Sequence, residues 1–237
     1  MLYSEILLAK KSNQKLLAVL LDPDKIIIDD LDHLIQKIKS SSVTHILIGG
    51  STFKGSSLDQ IIAQIKSNTN LPVLLFPGNP SQISQQAHGI LFLMLLSGRN
   101  TDYLIEHQIK AVPILEKTNL EIISTGYILV ESGSKTAVEI VSKTKPLSRD
   151  NVNYISQTAK AGEMMGNKLI YLEAGSGAKQ AVSLEIIDKV SKRISVPLIV
   201  GGGICSKKQI EEAFIAGADM VVIGTAFEND INFFDKC

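Results

Sequence analysis

Short, nearly unbroken apolar runs recur along the whole chain, at residues 16–22, 45–49, 73–76, 90–96, 121–129, 168–173, 197–201 and 220–224. They consist mostly of Leu, Ile and Val and do not alternate with polar residues. Strands covered on both faces, as in a parallel sheet, read this way. Between the runs lie stretches whose apolar residues return every three or four positions. In 30–40 these are Leu31, Leu34, Ile35 and Ile38, the stripe of a helix with one buried face. Segments 58–67, 103–117, 151–165, 184–194 and 207–216 follow the same rule. Asp150 and Ser183 stand where N-caps of two of these helices belong. Eight strands alternating with helices predict a parallel (β/α)8 barrel of the TIM type.

Two segments break the alternation. Residues 77–88 hold two prolines, a glycine and many polar side chains, so a loop or strand is expected in place of the third helix. Residues 131–149 are polar and predict irregular structure. The final helix should be short, because little chain follows Glu228. No linker, low-complexity tract or short repeat divides the sequence, and 237 residues suit one barrel. A single domain, 1–237, is expected.

Composition narrows the partners. Lys plus Arg and Asp plus Glu both total 24, without the basic excess of a nucleic-acid binder. Near-zero net charge offers little electrostatic resistance to self-association. Residues 1–15 mix charges with leucines at helical spacing and lack the core of a signal peptide. The longest apolar run, 89–97, is too short to span a bilayer. Cys205 and Cys237 lack metal spacing and read as reduced thiols. A cytoplasmic protein, able to touch a membrane surface, is the expectation.

Barrels of this kind carry their chemistry at the C-terminal ends of the strands, and polar and glycine residues collect there. The first strand ends in Leu21-Asp22-Pro23-Asp24, the second in Gly49-Gly50-Ser51-Thr52, the fourth in Ser97-Gly98-Arg99-Asn100. The sixth ends in Tyr171 to Gly177, the seventh in Gly201-Gly202-Gly203-Ile204, the eighth in Gly224-Thr225. The last two loops suit a phosphate cup of backbone amides, although glycines also simply make tight turns. Glu173 ends an apolar strand, where it can act as general base, hydroxyl anchor or structural ion-pair partner. Burial would raise its pKa toward a value suited to proton abstraction. Tyr171, two residues earlier, shares its face. Asp22 and Asp24 read either as turn caps or as oxygen ligands for Mg2+, with a hydroxyl or carbonyl from Ser51 or Thr52. Arg99 and Lys54 are candidate anion contacts with surface roles as the alternative. Cys205 reads as a small buried filler. His33, His45, His88 and His107 form no metal-binding pattern.

Leu21-Asp22-Pro23-Asp24-Lys25, Gly49-Gly50-Ser51, Tyr171-Leu172-Glu173-Ala174-Gly175-Ser176-Gly177, Val200-Gly201-Gly202-Gly203-Ile204 and Val222-Ile223-Gly224-Thr225-Ala226 together resemble the geranylgeranylglyceryl phosphate synthase family. Residues 91–100 and 125–127 resemble it too, so the likeness runs in order from first strand to last. The resemblance implies a Mg2+-dependent prenyltransferase. It would join a polyprenyl diphosphate to the C3 hydroxyl of sn-glycerol 1-phosphate, releasing diphosphate, in ether lipid biosynthesis. It implies Mg2+ at Asp22 and Ser51. It implies glycerol phosphate contacts at Tyr171, Leu172, Glu173, Ala174, Gly175, Ser176, Gly177, Gly202, Gly203, Gly224 and Thr225. Glu173 would take the hydroxyl proton and Tyr171 would orient the alcohol. It also implies a homo-oligomer, dimer or hexamer, and a replaced third helix. Leu20 stands where some bacterial members carry lysine, which is similar to the archaeal-type branch using C20 prenyl chains.

The prenyl tail would need a long apolar groove, for which 90–96 and 103–115 are candidate walls. The rival readings are a phosphosugar isomerase or synthase on the same barrel, and a non-catalytic phosphate-ligand barrel. The first wants a second acid or base near strand five, where only Glu131, beyond the strand end, is offered.

Overall fold

In the computed structural model, which describes residues 1–51 and 57–235, the apolar runs form eight strands. They are β1 (Leu16–Leu21), β2 (His45–Ile48), β3 (Val73–Leu75), β4 (Gly89–Leu95), β5 (Glu121–Leu129), β6 (Leu169–Glu173), β7 (Leu198–Gly201) and β8 (Met220–Ile223). Each pairs in parallel with the next, and β8 closes on β1 with Leu16 opposite Met220. Closing the sheet turns alternate side chains inward and outward. Ala18, Leu169, Tyr171, Met220 and Val222 fill the interior. Val19, Ile170, Leu172, Val221 and Ile223 pack outward in a second apolar cluster with helix residues. Both faces are therefore dry, which is why these strands read as continuous apolar runs.

The helices are α1 (Leu2–Lys11), α2 (Leu31–Lys39), α3 (Leu58–Asn68), α4 (His107–Leu115), α5 (Ala137–Ser142), α6 (Val152–Met164), α7 (Leu184–Ser191), α8 (Lys207–Ile215) and α9 (Thr225–Asn229). α1 seals the N-terminal end of the barrel. Its Ile6 and Ala9 join the interior cluster. The Glu121 carboxylate, at the start of β5, accepts the Tyr3 amide at 3.0 Å and also the Leu2 amide, placing negative charge at the helix N-terminus. Lys10 pairs with Asp219 at 2.8 Å. The C-terminal mouth stays open.

Between β3 and β4 the chain makes a 3-10 turn, Pro80–Gln82, and otherwise loops, as the prolines predict. Residues 131–149 depart from expectation, because α5 forms there. Glu139 accepts the Thr136 amide at 2.9 Å, half of a capping box. Six residues complete too few turns for a helical stripe to show in the sequence. The cap of α6 is Asn151, whose side chain accepts the Tyr154 amide at 3.2 Å, and not Asp150. Ser183 caps α7 as expected. The predicted helix at 103–117 begins as a π-helical turn, Asp102–Glu106. Among the described residues no helix is long and apolar enough to cross a membrane.

Candidate active site

Parallel register sets Tyr171 beside Ile199 and Glu173 beside Gly201. Both side chains point inward at the open mouth. Glu173 is only 5% exposed, and its Oε1 accepts the Gly175 amide at 2.6 Å. Burial pushes its carboxyl up to about 7, against the pull of the Gly175 amide and the nearby Tyr171 hydroxyl. That hydroxyl is fully buried and meets no partner at hydrogen-bond geometry among the described residues, so it acts on Glu173 as a nearby dipole. Burial, with the Glu173 charge beside it, holds the Tyr171 phenol well above 10 and therefore protonated.

Two of the three glycines at the end of β7, Gly201 and Gly202, have a reason the sequence did not reveal. A β-carbon on Gly201 would overlap the Tyr171 hydroxyl and stand 3.1 Å from Glu173 Oε2. One on Gly202, at φ +79, would overlap Glu173 Oε1 and stand 2.6 Å from the Gly175 nitrogen. These glycines let β7 close over the carboxylate, as well as leaving backbone open to a ligand.

Glu173 and Tyr171 form part of the wall of a polar bowl. The same wall includes Asp22, Ser51, Gly175, Ser176, Gly177, Gly202, Gly203, Gly224 and Thr225. Ser176 and Thr225 hydroxyls lie 3.3 Å apart, joining the loops after β6 and β8. Beside the bowl runs a narrow apolar groove with a cavity volume of about 100 Å³, walled almost wholly by the apolar and aromatic side chains that ligand clefts favour. β4 supplies Ile90, Leu91, Phe92, Leu93 and Leu95; the π-turn and α4 supply Tyr103, His107, Gln108 and Ala111. The two segments named as candidate walls thus meet across one cavity. Gly50, Ser51, Phe76, Tyr127 and Val138 line both spaces, so bowl and groove are continuous. Phe76 stacks on Tyr171 at 5.2 Å and Tyr127 tilts against it at 5.5 Å. An aromatic floor therefore runs from the groove to the residue beside Glu173.

The β1 end forms the bowl's acidic corner. Asp22 caps the turn Pro23–Lys25 by accepting the Asp24 amide at 3.1 Å. Its carboxylate remains about one quarter exposed and lies 3.8 Å from Lys25 Nζ. Lys25 in turn pairs with Glu228 of α9 at 2.7 Å. Desolvation acts to lower the Lys25 pKa, but Glu228 and Asp22 hold it above its ordinary value. A β-carbon on Gly50 would stand 2.8 Å from Asp22 Oδ1, so the glycine brings the backbone leading to Ser51 against the carboxylate. One carboxylate with neighbouring neutral oxygens is the sparse, all-oxygen set that Mg2+ accepts when water and phosphate complete its shell. These residues fit the ion.

Several candidates sit elsewhere. The Leu172 and Ala174 side chains face the outer core, leaving only their backbone near the bowl. Arg99 donates to the Leu96 and Gly98 carbonyls and to Tyr154, so it braces a loop away from the bowl. Cys205 is exposed, which corrects the buried-filler reading; the turn before α8 leaves it on the bowl's rim. Asp24 is exposed and outside the bowl wall. Thr52, Lys54 and Cys237 lie outside the described residues. Sequence reasoning missed Phe76, Val138 and Glu228 as wall residues. Only Phe76, closing an apolar run, carried any signal.

Fold and site together define an enzyme of the (β/α)8-barrel class whose open mouth joins a glycine-walled bowl to an apolar channel. The chain belongs to the PcrB family, which it matches over residues 10–236. It is 61% identical to the geranylgeranylglyceryl phosphate synthase of Flavobacterium johnsoniae over 235 residues, 99% of this chain and 97% of the relative. It is 37% identical to that of Korarchaeum cryptofilum, covering 92% and 90% of the two chains. The (S)-3-O-geranylgeranylglyceryl phosphate synthase of Thermoplasma acidophilum, solved in complex with its substrate sn-glycerol-1-phosphate, superposes with a TM-score of 0.93 at 31% identity, covering 99% of this chain and 94% of that one. The tryptophan synthase alpha-subunit of Pyrococcus furiosus, at 12% identity and a TM-score of 0.59, shares the fold alone.

Proposed function

We propose that the protein is a Mg2+-dependent prenyltransferase that joins geranylgeranyl diphosphate, or another long polyprenyl diphosphate, to the C3 hydroxyl of sn-glycerol 1-phosphate. One observation carries this reading: a buried carboxylate poised near neutrality stands where a glycine-walled polar bowl meets an apolar groove. A phosphosugar enzyme has no use for the groove.

The loops after β6, β7 and β8 hold the glycerol phosphate by backbone amides and the Ser176 and Thr225 hydroxyls. Tyr171 carries an unpartnered, protonated hydroxyl at the base of the bowl, suited to orient the alcohol. The prenyl tail lies along β4 and α4. Asp22 and Ser51 would hold the Mg2+, which would supply positive charge to neutralise the departing diphosphate. The allylic carbon–oxygen bond breaks, the glycerol oxygen bonds to that carbon, and Glu173 accepts the hydroxyl proton. The site acts in the cytoplasm on a lipid-tailed substrate met at the membrane surface, in a homo-oligomeric enzyme.

Incubation with radiolabelled sn-glycerol 1-phosphate, Mg2+ and prenyl diphosphates from C10 to C35 tests this directly. Label should enter the organic phase, most with one long chain length. No transfer at any length, in folded protein that binds the phosphate, would return the assignment to the phosphosugar enzymes.

A further inference from the structure

The bowl must receive two polyanions, yet the acids Asp22, Glu173, Glu228 and Asp230 line it. The described cations on its wall are Lys25, Lys207 and Lys208. Lys207 and Lys208 open α8, beside the glycine loop after β7. Lys25 alone of the three stands at the metal corner. Its ammonium bridges Glu228, at 2.7 Å, and Asp22, at 3.8 Å, and its side chain is half exposed. Glu228 is only 15% exposed, so it is the fixed partner and Lys25 the one free to reach outward.

We propose that Lys25 is the protein's own cation for the departing diphosphate, and that Glu228 positions it by setting its distance from Asp22. This inference rests on the prenyl-transfer reading of the bowl. An ammonium beside Asp22 opposes a divalent ion on the same carboxylate. A diphosphate bound to both cations turns that repulsion into two attractions. Metal and diphosphate should therefore bind with positive coupling, and Lys25 should be the source of much of it. Glu228, by holding the ammonium nearer itself than Asp22, keeps the carboxylate available.

The signs separate this role from simple bracing of the β1 loop against α9. Titration calorimetry would measure Mg2+ binding alone, and inorganic diphosphate binding in saturating Mg2+, for wild type, Lys25→Met and Glu228→Gln. Lys25→Met should bind Mg2+ alone severalfold more tightly. It should bind diphosphate about tenfold to a hundredfold more weakly, the scale of one charge-assisted hydrogen bond. Glu228→Gln should weaken Mg2+ binding, because Lys25 then closes on Asp22. If both variants shift Mg2+ affinity in the same direction, or Lys25→Met leaves diphosphate affinity unchanged, the assignment of Lys25 is overturned while the metal–diphosphate site stands. If wild type binds neither probe, the metal–diphosphate reading falls and the Lys25 role with it.

Discussion

Replacing Glu173 with Gln should stabilise the protein above neutral pH while removing most of its activity. The carboxyl is held at about 7 against an ordinary 4.5, chiefly by burial. The folded state therefore binds this proton more tightly than the unfolded chain does. Stability from the group is fully present below 4.5 and is lost as pH rises through 7. At about 1.4 kcal/mol per pH unit, the gap costs roughly 3 kcal/mol once the group is ionised. Gln has the same shape, keeps a carbonyl oxygen for the Gly175 amide and never ionises. In urea unfolding followed by circular dichroism, variant and wild type should lie within about 1 kcal/mol at pH 5. At pH 8.5 the variant should be more stable by roughly 3 kcal/mol. Subtracting the two proteins at each pH cancels every other titrating group. Prenyl transfer should fall by about 10²- to 10⁴-fold, the usual contribution of a general base, with glycerol phosphate binding retained. In wild type, kcat/KM should rise with pH and level off above about 7. A stability difference that is the same at both pH values would show that the carboxylate is not ionised in a buried site. Near wild-type turnover would remove Glu173 as the base.

Three further outcomes follow from the same geometry. His45 is buried inside β2 with Nε2 unpartnered, and burial lowers its pKa to about 4; its stability is complete above 6.5 and is lost as pH falls toward 4, so His45→Leu should gain roughly 3 kcal/mol relative to wild type between pH 7.5 and pH 4, and a pH-independent difference in urea unfolding would refute this. Gly202→Ala forces a left-handed alanine and a clash with Glu173 and the Gly175 amide, costing about 2–5 kcal/mol and lowering Tm by about 10 °C; Gly177→Ala, at φ +73 with open space around it, should lose only the backbone part, and equal losses in calorimetry would refute the packing argument. Ala111→Phe fills the groove between α4 and β4, so competition among prenyl diphosphates should shift toward shorter chains, and an unchanged preference would mean the tail lies elsewhere.

The barrel was legible because its strands are dry on both faces: each predicted apolar run became a strand with ends within one residue. What the pattern missed was short or local. α5 spans six residues, and the α6 cap is decided by which of Asp150 and Asn151 reaches the Tyr154 amide. The gathering of the strand-end residues at one mouth was legible because parallel topology puts all those ends on one side. Cys205 was misjudged because its exposure depends on the course of the turn after β7. The continuity of groove and bowl could not be read in sequence. It depends on Phe76, Tyr127 and Val138, which come from three loops or strands and meet only when the barrel closes.

The same closure explains how the mouth tolerates its own chemistry. A buried carboxyl with its pKa raised to about 7 and a buried, unpartnered phenol each weaken the C-terminal end. The opposite end is fastened by interactions with no chemical duty: Ile6 and Ala9 within the interior cluster, Glu121 at the start of α1, and Lys10 on Asp219. Asp219 also accepts the Leu198 amide at 2.8 Å, so that one carboxylate ties α1 to the starts of β7 and β8. Those are the strands whose far ends carry Gly201, Gly202, Gly224 and Thr225. The strands connect that anchored end to the cup, whose own bonds are the Gly175 amide on Glu173 and the Ser176–Thr225 hydroxyl pair. Loosening Asp219 should therefore disturb phosphate binding from across the barrel, although none of its atoms lines the bowl.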